Sequence, residues 1–267
     1  MSNAFVQQDA VQHLLRESAG LNATGGDERF KTIVHRLLEN ICTLIDDYNV
    51  TEEEFWHAVN YLHELGGRQE AALLAAGLGL EHFLDLRQDA IDAAAQRETG
   101  TPRTIEGPLY VANAPLADGH TRMDDGKDAG EVMWLYGQVR DTQGHPIANA
   151  IVDIWHANTL GNYSFFDQSQ SEYNLRRRIR TGADGCYSVR SIMPSGYGCP
   201  PDGPTQKLLD QLGRHGNRPA HIHFFVSAPG HKHLTSQINL NGDKYLWDDF
   251  AFATRDGLIA DPVKVSD

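Results

Sequence analysis

The chain has 267 residues, with 36 Asp or Glu against 23 Lys or Arg, which gives a formal net charge of −13 at pH 7. This acidic balance argues against nucleic acid or an anionic membrane as the main partner. No stretch is apolar for long enough to cross a bilayer, and residues 1–20 lack the apolar run of a signal peptide. Three scattered cysteines predict neither a disulfide framework nor a CxxC metal site, so we expect a cytoplasmic location.

The first hundred residues have the periodicity of helices. Apolar residues recur at helical spacing within 6–18, and Asp27 is placed to cap a long second helix. Thr51 and Glu54 form a capping box for a third helix, and a fourth, glycine-interrupted stretch covers 69–96. The large apolar residues of these helices have two explanations, which are the core of a small bundle or a surface that pairs with a second subunit.

The pattern changes near residue 100, where helical spacing gives way to proline and glycine and then to short alternating segments. These segments predict strands at 132–139, 151–155, 187–192, 222–226 and 236–240. Turn residues separate them at short intervals, as in an antiparallel β-sandwich. We therefore predict an α+β protein with a helical region at 1–100 and a β-sandwich domain at 101–267.

Two histidines lie two positions apart in one of the predicted strands. Residues i and i+2 of a strand point the same way, so His221 and His223 present their imidazoles side by side, with Ile222 on the opposite face. That spacing suits two ligands of one metal, but an accidental pair explains it equally well. A metal would need further ligands from elsewhere in the chain.

Two tyrosines in glycine-flanked loops are candidates for those ligands. Tyr163 follows Gly161, and Tyr197 lies between two glycines that let the backbone approach another group closely. Tyrosines in such loops are ordinarily packing residues. Arg218, three residues before the histidine pair, adds a cation to the same set. The combination points to a site more strongly than any one member does.

Seven short motifs together resemble one enzyme family. They lie at 107–111, 122–126, 153–157, 173–178, 193–197, 218–223 and 250–254. With them the chain resembles the intradiol ring-cleavage dioxygenases, and among these the catechol 1,2-dioxygenases. The resemblance covers the chain from about residue 70 to its end, and it also implies further strands beyond Asp267.

The resemblance implies a non-haem Fe(III) centre held by Tyr163, Tyr197, His221 and His223. Phenolate is a hard anionic donor that suits Fe(III), and two phenolates with one hydroxide neutralise its charge. A catechol dianion could then displace Tyr197 and the hydroxide, each leaving with one proton, so that no separate base is needed. The resemblance also implies that Arg218 stabilises negative charge on the substrate ring. Gln237 is a further catalytic candidate beside it.

The activity that the resemblance implies is cleavage of catechol by O2 to cis,cis-muconate, in aromatic catabolism through the β-ketoadipate pathway. The family positions that line the substrate pocket, together with Arg218, fall on Leu73, Ala76, Ile105, Pro108, Leu109, Phe250 and Ala251. An apolar lining suits an unsubstituted ring, although hydroxyquinol and chlorocatechol remain alternatives. The resemblance further implies a homodimer formed through the N-terminal helices, with phospholipid in a tunnel between the subunits.

Two other classes of protein remain open. A non-enzymatic transthyretin-like binding module would share the sandwich and hold no iron. An Fe(II) oxygenase with a facial triad would need a carboxylate soon after the histidine pair, and residues 224–230 contain none. The basic run from Arg176 to Arg180 is expected to be a set of strand charges paired with Asp or Glu rather than a phosphate site.

Overall fold

The computed structural model describes residues 5–265, which divide between Glu64 and Leu65 into two units. The helices are α1 (Asp9–Ser18), α2 (Glu28–Asp47), α3 (Glu52–Gly67), α4 (Ala71–Gly77), α5 (Leu80–Ala94) and α6 (Pro204–Gln211). The division places α4 and α5 in the second unit, so a domain boundary near residue 100 stays a prediction. None of the helices in 5–265 is long and apolar enough to cross a membrane.

The predicted starts of α2 and α3 are confirmed by their caps, whereas α1 begins at Asp9, three residues after its predicted start. The Asp27 carboxylate accepts a hydrogen bond of 2.8 Å from the Phe30 N–H at the start of α2. At the start of α3 the Thr51 hydroxyl accepts from the Glu54 N–H, and the Glu54 carboxylate accepts from the Thr51 N–H. Each bond satisfies a backbone donor that the first turn of a helix leaves without an intrahelical partner.

The apolar stripe of α2 is exposed along its whole length. Its members are between 44% and 80% exposed, and they are Phe30, Ile33, Leu37, Ile41, Leu44 and Tyr48. Their spacing of three or four residues puts them on one face of the helix. The stripe is therefore a surface of the chain and not the core of a small helical bundle.

Five strands fall within two residues of their predicted positions. They are β3 (Val132–Gln138), β4 (Ile151–His156), β6 (Cys186–Ile192), β9 (His221–Ser227) and β10 (Leu234–Leu240). Six further strands had no alternating pattern to predict them, namely β1 (Leu116–Asp118), β2 (His120–Arg122), β5 (Arg176–Arg180), β7 (Tyr197–Gly198), β8 (Asn217–Arg218) and β11 (Ile259–Ala260).

The strands form a six-stranded sheet in the order β1-β5-β4-β9-β10-β11, a three-stranded sheet β2-β6-β3 and a short β7-β8 ladder. The long pairs are antiparallel, as predicted, whereas the short outer strands β1, β2 and β11 pair in parallel. Apolar side chains of both larger sheets meet in a buried core of Met123, Val152, Ile154, Ile179, Val189, Ile222 and Phe224. The α+β architecture is confirmed.

The register of the large sheet places one row of side chains on the face away from this core. Arg176 on β5 pairs with Trp155 on β4, Trp155 pairs with His223 on β9, and His223 pairs with Gln237 on β10. Residues next to each other along a strand alternate between faces, so this row lies opposite the core residues Ile154 and Ile222. The row is the floor on which the candidate site is built.

Candidate active site

The two histidines of β9 lie side by side and buried, as their spacing predicts. His221 is 1% and His223 is 2% exposed, and their Nε2 atoms are 3.0 Å apart. Their rings meet edge to face, with centroids 4.6 Å apart. Two ring nitrogens therefore converge on one point.

Burial keeps both imidazoles neutral, and a hydrogen bond fixes the tautomer of His221. The Nδ1–H of His221 donates to the Pro219 carbonyl at 2.7 Å, which leaves the lone pair on Nε2. Burial, and then the Arg218 cation, lower the pKa of His221 to about 3. Burial and the neighbouring His221 lower the pKa of His223 well below its usual value. A neutral imidazole with a fixed tautomer is the form that binds a metal.

Trp155 fixes the plane of the second histidine. The indole and the His223 ring are stacked at a centroid distance of 4.7 Å, with only 3° between their planes. The pairing of β4 with β9 produces this stack, because it places Trp155 directly beside His223 on the same face. No pattern along the chain indicates this contact.

The two tyrosines come from different loops and meet at the histidines. Tyr163 follows β4 and is 3% exposed, and its ring lies edge-on to that of Tyr197 at 5.4 Å. Tyr197 begins β7, and its ring centroid is 5.5 Å from that of His221. The structure thus brings together all four residues predicted as metal ligands.

The Tyr163 hydroxyl is a buried polar group with unsatisfied hydrogen-bonding capacity. Its oxygen has no hydrogen bond of good geometry within residues 5–265, although the Tyr197 hydroxyl is close enough to influence its pKa. Burial, and then Tyr197, raise the pKa of Tyr163 well above its usual value, while the Arg218 cation opposes that shift. An unpaired buried hydroxyl is costly, so this oxygen fits a group that would bind it.

Arg218 is a buried cation at the centre of the site and not a surface ion pair. Two of its nitrogens donate to the two carboxylate oxygens of Asp249, both at 3.1 Å. The same guanidinium lies 3.0 Å from His221 Nε2 and donates to the side-chain Oε1 of Gln237 at 2.8 Å. Burial alone would lower the pKa of Arg218, but the Asp249 carboxylate and the two phenols raise it overall.

Asp249 is a site residue that sequence reasoning missed. It lies 31 residues after Arg218, directly before the motif at 250–254 but outside it. Its carboxylate also accepts hydrogen bonds from the backbone N–H groups of Ala251 and Ala253, at 3.1 and 3.3 Å. One carboxylate therefore fixes both the arginine and the neighbouring pocket wall.

A cavity of about 390 Å³ opens beside these groups. All of the predicted substrate residues line it, namely Leu73, Ala76, Ile105, Pro108, Leu109, Arg218, Phe250 and Ala251. Tyr163 and Tyr197 also line it, together with Glu70, Phe166 and Cys199, which were not predicted. Glu70 is buried and accepts a hydrogen bond of 3.0 Å from the Thr205 N–H in the first turn of α6.

The basic run is a set of strand charges, but only part of it has the expected carboxylate partners. Arg180 pairs with Asp118 at 2.7 Å. Arg176 and Arg178 instead donate to uncharged oxygens, those of Ser164 and of the Ala114 carbonyl. Arg176, Arg178 and Arg180 share one face of β5. The first two meet hydroxyl and backbone oxygens there, whereas Arg180 at the strand end lies beside Asp118 of β1.

Among residues 5–265 no three His, Cys, Asp or Glu side chains are grouped so that they could hold a metal ion. The tyrosine rings that pack beside the two histidines are further potential donors there. Two imidazoles and two phenols beside an apolar cavity at the face of a β-sandwich define the intradiol class of dioxygenases.

Comparison with known proteins places the chain within that class. A family model described as "Dioxygenase" matches residues 105–267, and one described as "Catechol dioxygenase N terminus" matches residues 27–96. The chain belongs to the catechol dioxygenase family.

Similarity to individual members extends over nearly the whole chain. A catechol 1,2-dioxygenase 2 of Acinetobacter lwoffii is 58% identical over 95% of this chain and 92% of its own length. The crystal structure of catechol 1,2-dioxygenase from Pseudomonas arvilla C-1 has a TM-score of 0.94 at 64% identity, over 96% of this chain and 83% of that one. A hydroxyquinol 1,2-dioxygenase of a Rhizobium species is more distant, at 36% identity over 90% of this chain and 82% of its own.

Proposed function

We propose that the chain catalyses the intradiol cleavage of catechol by O2 to cis,cis-muconate, in the catabolism of aromatic compounds. The observation that carries the proposal is the convergence of two tyrosines, which line a largely apolar cavity, with two neutral histidines packed beside them. Identity to catechol 1,2-dioxygenases well above that to a hydroxyquinol enzyme supports this choice of substrate.

The metal that this donor set suits is Fe(III), held by Tyr163, Tyr197, His221 and His223. The Tyr163 oxygen has no good hydrogen-bond partner among the described residues, and the His221 Nε2 lone pair is free of a proton. Hard anionic oxygens favour the higher oxidation state of iron. Bound Fe(III) would supply a Lewis acid that ionises the catechol and draws electron density from it toward reaction with O2.

Two phenol protons must leave when catechol ionises, and the chain can take one of them. Both tyrosines line the cavity, but Tyr197 is half-buried, whereas Tyr163 is buried. The Tyr197 oxygen can therefore accept a substrate proton and turn away as a neutral phenol, while Tyr163 stays in place. Different burial thus gives two chemically identical side chains different roles.

Arg218 would hold negative charge that develops on the substrate ring. Its guanidinium lines the cavity and is fixed by Asp249 and Gln237, so no reorganisation is needed during the reaction. The Gln237 amide is itself fixed, since its Nε2 donates to Asn239 at 2.6 Å. The apolar part of the lining, which includes Leu73, Ile105 and Phe250, suits the unsubstituted ring.

The visible absorption spectrum of the iron-loaded protein tests the proposal. Phenolate bound to Fe(III) produces a charge-transfer band, and catechol added without O2 should shift it to longer wavelength. Tyr163→Phe and Tyr197→Phe should each weaken or displace the band. Tyr187→Phe is the matched control, because Tyr187 packs against the sandwich core, away from the histidines.

Other outcomes would each contradict a different part of the proposal. Iron without the band would favour an Fe(II) oxygenase, and failure to bind iron at all would favour a transthyretin-like binding module. Faster turnover of hydroxyquinol or of a chlorocatechol than of catechol would leave the chemistry intact and correct the substrate.

We also propose that the chain forms a homodimer in the cytoplasm through its N-terminal helices, with phospholipid held between the subunits. The exposed apolar stripe of α2 supports an apolar partner at that surface. Light scattering should give twice the mass of the chain, and Leu37→Glu with Leu44→Glu should reduce it to the monomer mass. Extraction into organic solvent followed by mass spectrometry tests for the lipid.

A further inference from the structure

A buried arginine lies behind Tyr163, and the proposed chemistry leaves it without a role. Arg176 begins β5 and is 1% exposed. The carbon at the centre of its guanidinium is 5.7 Å from the centroid of the Tyr163 ring. It stands in the row of side chains that contains Trp155 and His223, so the sheet itself sets its position.

The hydrogen bonds of Arg176 go to uncharged oxygens of one residue. Its Nε donates to the Ser164 hydroxyl at 3.0 Å, and its Nη2 donates to the Ser164 carbonyl at 3.1 Å. The third nitrogen, Nη1, is buried without a partner in the part of the chain that the structure describes. The guanidinium thus makes two hydrogen bonds to Ser164, the residue that directly follows Tyr163 in the chain.

Arg176 differs from Arg218, the other buried arginine of the site, in the charge of its hydrogen-bond partners. Arg218 has the Asp249 carboxylate within hydrogen-bond distance, whereas Arg176 has no such carboxylate among residues 5–265. The nearest carboxylate on its neighbouring strand, that of Asp153, accepts a hydrogen bond of 2.9 Å from Tyr110 instead. Asp153 therefore acts on Arg176 through its charge but without a hydrogen bond, so the buried cation is only partly compensated and its surroundings suit a further negative charge close by.

We propose that Arg176 is a positioning residue for Tyr163, which it orients through Ser164 and whose anionic, metal-bound form it stabilises with its positive charge. A cation over an aromatic face attracts the ring more strongly when that ring carries negative charge. Burial lowers the pKa of Arg176 to about 10, so the side chain stays charged at neutral pH. This inference rests on the proposed Fe(III) function.

The test compares Arg176→Gln, Arg176→Lys and the parent, each as the full chain loaded with ferric iron. Arg178→Gln is the matched control, because Arg178 lies two residues along β5 on the same face and binds the Ala114 carbonyl instead. The readouts are iron content, the wavelength of the charge-transfer band and turnover of catechol.

Arg176→Gln should bind iron with its band displaced to longer wavelength by on the order of 10 nm, the effect of removing one charge about 6 Å away at an effective dielectric constant of about 20. Its kcat should fall between about 10- and 100-fold, as when a group that orients a metal ligand is lost. Arg176→Lys, which keeps the charge, should retain the parent wavelength. Arg178→Gln should match the parent in both respects.

A parent-like band in a folded, iron-loaded Arg176→Gln protein would overturn the inference and leave the proposed function standing. A parent protein without the band would overturn both. If Arg176→Gln does not fold, Arg176→Lys serves as the test. A charge-transfer band displaced from the parent wavelength in Arg176→Lys would overturn the inference, because the positive charge would still be present at this position.

Discussion

Gly161 lies where the loop before Tyr163 contacts Gly196 and Tyr197. Its substitution by alanine should lower the free energy of unfolding and also displace Tyr197 in the site. Its φ is +80°, and a Cβ there would lie 2.7 Å from the Tyr197 Cβ and 2.9 Å from the Gly196 carbonyl oxygen. The left-handed backbone costs an alanine about 1 kcal/mol. Relieving the crowding adds about 1–3 kcal/mol. The expected loss in free energy of unfolding is therefore about 2–4 kcal/mol.

Gly144→Ala separates the two contributions to this loss. Gly144 has a φ of +86°, and among residues 5–265, apart from Gly144 and its two chain neighbours, no atom lies within 4 Å of the point that a Cβ would occupy. Its substitution should therefore cost only the backbone part, about 1 kcal/mol. Urea unfolding of both variants and the parent measures the difference. The ferric charge-transfer band of Gly161→Ala should also weaken, because relief of the clash moves Tyr197. Equal losses for the two variants, with an unchanged band, would refute the reasoning.

Two further predictions concern buried carboxylates. Asp249→Ala should lower the free energy of unfolding by about 3–5 kcal/mol, measured in urea, because it leaves the buried Arg218 cation without its anion. Acid stability should depend on Asp124, whose burial would raise its pKa but whose pairs with Arg122 and Arg190 outweigh this and lower it. That contribution is present above the unfolded-state pKa of about 4 and is lost as pH falls through the lower folded-state value. Asp124→Asn should therefore be less stable at pH 7 and lose less stability between pH 4 and pH 2.

Each of these substitutions has its own control. Asp248→Ala removes an exposed carboxylate next to Asp249, paired with His215, and should change stability by less than about 1 kcal/mol. An equal loss for the two aspartates would contradict the role given to burial. For Asp124, acid unfolding curves of parent and variant that run parallel would exclude its ion pairs as a source of the pH dependence.

Local features of this protein could be predicted because neighbours in sequence create them. The caps at Asp27 and at Thr51 depend on residues three positions apart, and both form as predicted. The facing of His221 and His223 follows from the two-residue period of a strand. The ligand set and the pocket residues came from the resemblance to a family. The structure places the pocket residues and both tyrosines around one cavity and the two histidines next to the tyrosines.

The contacts that hold the site in place were decided by the tertiary structure. Strand β5 carries arginine on both faces, so no alternation marks which side chains are buried; its pairing with β4 alone puts Arg176 beside Trp155. Asp249 reaches Arg218 across 31 residues. Such contacts depend on strand register and on where a distant loop returns to the sheet. Spacing along the chain encodes which residues share a face, whereas packing determines which faces meet.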